Sequence, residues 1–169
     1  MAANKYLSIY LNDHLAMLVA VTELAERSLE SNQGTDLGRC LESVVESTRR
    51  DRQALDALME QQGVPHNWTK TTGAWVAERV GRLKLNGQIK GYSPLSRLVE
   101  VEALELAMGG LRCFWDTLNQ TGIDEAGGLP TSELAQRAEE LGQELDGHRR
   151  AVARQALGAP VGAAEGAPE

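Results

Sequence analysis

The three-and-four spacing of apolar residues, sustained over several long segments, constrains this chain more than any other feature. From about Lys5 to Glu30 the seam reads Leu7, Leu11, His14, Leu18, Val21, Ala25, broadened by Tyr10, Leu15 and Leu24. That spacing places one stripe on one face of a helix. Gly34 breaks the pattern, and Thr35 or Asp36 is placed to cap the next helix. From about Asp36 to Gln62 the seam is Leu37, Leu41, Val44, Thr48, Asp51, Leu55, Leu58, closed by Gly63 and Pro65. A third segment, about Gly73 to Gln88, carries Trp75, Val76, Val80, Leu83 and Leu85. The fourth starts at Ser93 with Pro94 in the first turn, where a missing N–H costs nothing. Its seam is read as Leu95, Leu98, Glu102, Leu106, Gly109, Cys113, continuing through Trp115 and Leu118, and Gly109-Gly110 is read as a close approach of a neighbouring helix. After the Gly-rich loop TGIDEAGGLP a fifth segment, capped by Thr131 or Ser132, runs Leu134, Ala138, Leu141, Leu145, His148, Val152.

No alternating β-branched run competes with these helices. The expected fold is all-α: an antiparallel four-helix bundle with an additional C-terminal fifth helix. Residues 1–157 form a single domain in this reading, with the core at about 5–119 and the added helix at about 131–157. Leu134, Leu141, Leu145 and Val152 are expected to be buried against the bundle or a second subunit. The tail 158–169, rich in Ala, Gly and Pro, has no periodic face and is expected to be disordered.

Charge and cysteine usage narrow the function classes. The net charge is −7, which disfavours nucleic acid as a partner. Between Lys70 and Arg97 six basic residues stand against one acid, Glu78, so this stretch is +5 while the remainder is −12. It reads as a solvated basic face or as a dock for an acidic protein partner. Cys40 and Cys113 both fall within helical patterns, where cysteine behaves as a small hydrophobe, and no CxxC pair exists for zinc or redox work. The amino-terminal stretch interrupts its apolar part with Asp13 and His14, and no apolar run approaches the ~20 residues that span a bilayer. A cytoplasmic protein without membrane contact is the expectation.

Catalytic signatures are weak: there is no phosphate loop, no GxSxG and no HExxH. His66 beside Pro65 reads as an exposed loop residue, and His148 as a cation near a helix end. Three polar residues replace hydrophobes on inward seams: His14, Asp51 and Glu102. Buried alone, each costs several kcal/mol, so each needs a partner. The structural reading is a network that fixes helix register, with His14 bonded to Asp51 or Glu102 and with Arg79, Arg82 or Arg97 balancing the charge. The functional reading is a metal or small-ligand site in the bundle core.

Long helices with inward carboxylates and a histidine resemble the ferritin-like bundle superfamily. The stretches YLNDHLAMLVAVTELAERSL, VVESTRRDRQALDALM and RLKLNGQIKGYSPLSRLVEVEALELAM are similar to small bacterial proteins of that build. The resemblance spans roughly Lys5 to Asn119. It implies a Glu on each of two helices and Glu-x-x-His on the other two, around iron or manganese. Here Glu46-Ser47-Thr48-Arg49 and Glu102-Ala103-Leu104-Glu105 both lack the histidine. The alternative ligand set is His14, Glu46, Glu102 and Glu105. Because Arg49 repels a cation, the resemblance favours the fold over the chemistry. The expected function is a non-catalytic bundle acting through protein contacts as a homo-oligomer, most simply a homodimer, with no cofactor. The alternative is a metal- or ligand-binding bundle, an oxidoreductase in its extreme form.

Overall fold

The computed structural model describes residues 4–66 and 92–158. The expected helix at about 73–88, with Arg79 and Arg82, lies outside the described residues, as does the tail beyond Gly158. Four helices are described: α1 (Lys5–Glu30), α2 (Asp36–Gln61), α3 (Pro94–Gln120) and α4 (Thr131–Leu157). Each has 26 or 27 residues and is about 40 Å long.

Local chemistry sets the helix ends. The Thr35 hydroxyl accepts the Gly38 N–H at 3.0 Å and donates to the Asn32 carbonyl at 2.7 Å. The α1–α2 turn is so tight there that a Cβ on Gly38 would stand 2.3 Å from the Asn32 carbonyl oxygen. At the far end of α2 the Val64 N–H reaches back to the Met59 carbonyl at 2.8 Å, a Schellman closure that buries Val64. Ser93 caps α3 through the Ser96 N–H at 3.0 Å, with Pro94 in the first turn as its sequence indicates.

Neighbouring helices are antiparallel. Arg27 near the end of α1 meets Glu100 near the start of α3, and Tyr10 near the start of α1 meets Phe114 near the end of α3. Glu105 of α3 meets Arg149 of α4, and Cys40 of α2 lies beside His148 of α4. The order around the bundle is therefore α1, α2, α4, α3, with α2 and α3 parallel across the diagonal. Pro65 sits at one end beside Asn12 and Tyr92 at the other beside Asn32, so α2 and α3 are joined by one connection between opposite ends.

The core is aliphatic, with Phe114 and Trp115 its largest members. The α2 seam is buried throughout, Thr48 and Asp51 included. Leu134, Leu141, Leu145 and Val152 are also buried, and their helix supplies one wall of the same core. α4 runs in close contact with α3 and more sparsely with α2. Among the described residues it is thus a core helix and not a strip laid outside one.

Other local expectations need correction. The inward face of α3 is Leu98, Val101, Leu104, Met108, Leu111, Trp115 and Leu118, while Glu102 is exposed and Leu106 is 78% exposed. Stepping three from Leu98 reaches Val101 and an unbroken apolar seam, whereas stepping four reaches Glu102 and the outer face. Among the described residues nothing lies against Gly109, and a Cβ on Gly110 would meet only Met17 at ordinary distance, so no described helix approaches closely there. The α3–α4 connection contains a small antiparallel ribbon, β1 (Glu125–Ala126) and β2 (Leu129–Pro130). Gly127 and Gly128 form its turn with φ of +57° and +79°, the two left-handed residues of a type I′ hairpin. A Cβ on Gly127 would also lie 3.0 Å from the Ala54 Cα, because the turn packs on α2. Thr131 does not cap α4; its buried hydroxyl donates to the Ile123 carbonyl and ties the ribbon to the helix.

Candidate functional site

The structure separates the three seam residues. His14 is half-buried, its Nδ1–H donates to the Tyr10 carbonyl at 2.9 Å, and its ring stacks on Phe114 with centroids 4.3 Å apart. Burial pushes its pKa down, against the upward pull of that carbonyl and of Asp13. The expected bond to Asp51 or Glu102 is not made. The aromatic slot of Tyr10 and Phe114 takes the ring instead.

Asp51 is 1% exposed, as its place on the α2 seam demands. Burial pushes its carboxyl up to about 7, while the Trp115 indole, Arg137 and Arg50 pull it back towards ionisation. The indole lies near enough to act on the carboxyl yet off hydrogen-bond geometry. Among the described residues, Asp51 Oδ1, Trp115 Nε1 and Arg137 Nη1 are each buried without a hydrogen bond. The cations acting on Asp51 are thus on α2 and α4. Arg97, one of the expected counter-charges, lies over the Tyr92 ring, 5.4 Å from its centroid.

The alternative ligand set does not assemble either. Glu102 and Glu46 are exposed, and Glu105 accepts from Arg149 Nε at 2.7 Å. The described residues therefore do not fit a di-iron or di-manganese centre. Arg49 pairs outside the core with Glu26, at 2.6 Å. The buried acid of α3 is Glu100, which accepts from Arg27 at 3.1 Å and from the Tyr92 hydroxyl at 3.0 Å. Asn32 donates to that hydroxyl at 3.0 Å, so this network locks the start of α3 to the α1–α2 turn. Of the basic 70–97 stretch, only Tyr92–Arg97 belongs to the described residues.

A different constellation lies between α2 and α4. Ligand atoms of Cys40, Glu144 and His148 all fall within 4.8 Å of one another, the one such trio of His, Cys, Asp or Glu among the described residues. Glu144 and His148 stand four apart on one helical face, and Cys40 faces them across the groove. Cys40 is 1% exposed. Burial, and then the Glu144 carboxylate beside it, push the thiol up to about 12. Next to the trio is a cleft of about 280 Å³ lined by Ser43, Ser47 and Arg50 of α2 and by Arg137, Glu140 and Glu144 of α4. Sparse α2–α4 packing leaves room for it. With its thiol neutral, Cys40 is a poor nucleophile near pH 7, so this groove is equipped for binding more than for covalent catalysis.

Sequence reasoning placed Cys40 as a core hydrophobe and His148 as a helix-end cation. The signal for a site was Glu144-x-x-x-His148, two potential ligands one turn apart on α4. Its third member depends on the offset between two helices.

A second surface lies at the end of the bundle. Leu7 and Tyr10 of α1, Leu118 of α3 and Ile123 line a recess of about 410 Å³ with Asn4, Tyr6, Thr117 and Thr121. Tyr6 is 79% exposed and Ile9 beside it 49%. No helix among the described residues is long and apolar enough to cross a membrane. Comparison of the chain with family models, with curated proteins and with solved structures finds no match.

Proposed function

We propose that this chain is a non-catalytic helical bundle of ferritin-like build that acts through protein contacts, as a homodimer joined through the recess at the α1 amino-terminal end. The recess carries the proposal. Its lining among the described residues holds no carboxylate, ammonium or guanidinium group; Tyr6 of that lining stands exposed, as does Ile9 one turn further along α1. A chain of net charge −7 repels its own copies over most of its surface. An uncharged apolar patch is where a second copy approaches without that penalty, and a two-fold axis lets one patch serve both partners. The ferritin-like reading is supported by parallel α2 and α3 and by a single connection between opposite bundle ends, the arrangement with one long crossover. The free thiols Cys40 and Cys113 support a reducing, cytoplasmic setting.

The test is the solution mass of wild type and of the double variant Tyr6→Glu, Ile9→Glu. The dimer should become monomeric while the melting temperature of the monomer fold is kept, because both side chains are largely exposed. A variant that still dimerises would remove the recess as the interface.

A further inference from the structure

We propose that Cys40, Glu144 and His148 form a binding site for a thiophilic divalent transition metal of the zinc class. The proposal goes beyond the contact surface and is independent of it, since the groove lies between α2 and α4 and the recess between α1 and α3.

The donor set is one sulfur, one imidazole nitrogen and one carboxylate oxygen. Zinc binds these at ~2.3, ~2.0 and ~2.1 Å, which puts tetrahedral donors about 3.5 Å apart. The three ligand atoms already lie within 4.8 Å of one another. Rotations of the Glu144 and His148 side chains, exposed and half-buried respectively, can close that gap without moving a helix.

Cys40 is the anchored member. The capped turn at Thr35 and the contact of Gly38 with Asn32 fix the first turn of α2, and Cys40 comes directly after it. Two donors come from adjacent turns of α4 and the third from α2, so a bound ion would clip the two helices where they otherwise touch sparsely. Burial is graded from Cys40 through His148 to Glu144, so the protein covers one side of the trio. Glu144 also lines the neighbouring cleft, which leaves a fourth position for water or a small ligand.

Donor chemistry selects the metal. Sulfur with imidazole suits zinc or cobalt, whereas manganese and magnesium prefer all-oxygen shells. The thiolate and the carboxylate together neutralise the dication. The thiol proton leaves to solvent as the sulfur–metal bond forms.

The test is titration of the reduced full-length chain with Co²⁺, following the thiolate-to-cobalt charge-transfer absorption and its displacement by Zn²⁺. A single saturable equivalent should bind. Cys40→Ser should abolish the charge-transfer band, Glu144→Gln and His148→Asn should each weaken binding at least about tenfold, and Cys113→Ser should bind as wild type. Glu144 and His148 are not core residues, so those two variants keep the fold, which helical circular dichroism verifies. Absence of the band in wild type, its persistence in Cys40→Ser, or wild-type affinity in either α4 variant would overturn the proposal.

Discussion

Asp51→Asn should stabilise this protein in neutral and alkaline solution. Asp51 is buried at 1% exposure, and its carboxyl is raised from 3.8 to about 7. Between those values the folded chain holds a proton that the unfolded chain has released. Unfolding then releases a proton, so stability declines as pH rises from about 4 to about 7 and levels off above. At ~1.4 kcal/mol for each tenfold change in proton affinity, the full loss is about 4 kcal/mol. Asparagine has nearly the same shape and no charge, so it removes this penalty. Its amide must still find partners beside Trp115 and Arg137, so a gain of about 2–4 kcal/mol at pH 8 is expected. Near pH 4 both side chains are neutral in the folded protein, so the gain should be lost, leaving only what the amide costs against a protonated carboxyl. Urea titrations of both proteins from pH 4 to 8 measure this as a growing separation of midpoints at constant slope. Taking the difference between the two proteins cancels other titrations, including that of His14. A variant destabilised at pH 8, or a difference independent of pH, would show that Asp51 is charged and paired in the folded protein.

Local geometry yields two more expected outcomes. Gly38→Ala forces a Cβ to within 2.3 Å of the Asn32 carbonyl oxygen, so the α1–α2 turn must move; a loss of about 1–3 kcal/mol in urea unfolding is expected, and an unchanged midpoint would contradict the described turn. In metal-free native protein at pH 8, iodoacetamide should label exposed Cys113 while Cys40, buried and with its thiol raised to about 12, reacts only on unfolding; equal native labelling of both in peptide mass spectra would contradict the burial of Cys40.

The α2 helix was legible from sequence down to Asp51, because its seam is long, amphipathic and bounded by Thr35 and Gly63. The α1 seam was equally plain, though His14 at its edge found aromatic partners that periodicity cannot name. In α3 apolar residues occur on more than one face, and exposed Leu106 made the outer face look like a seam. That one choice put Glu102 inside and left Glu100 unnoticed. Gly127-Gly128 carried a hairpin signal, but strands of two residues show no alternation to support it. The Cys40, Glu144, His148 trio required the relative shift of α2 and α4, which core packing sets and local spacing does not. The role of α4 as a core wall arises from the same tertiary pairing.

Sedimentation equilibrium of the full-length protein over a range of concentration and salt tests the central claim most directly. The account predicts a mass of twice 18.3 kDa. It also predicts a dimer that holds or tightens as salt rises, because the described lining of the recess is uncharged while the two −7 chains repel. A monomer at every concentration would contradict it, and so would a dimer that dissociates on adding salt, which would place ion pairs and not the apolar recess at the interface.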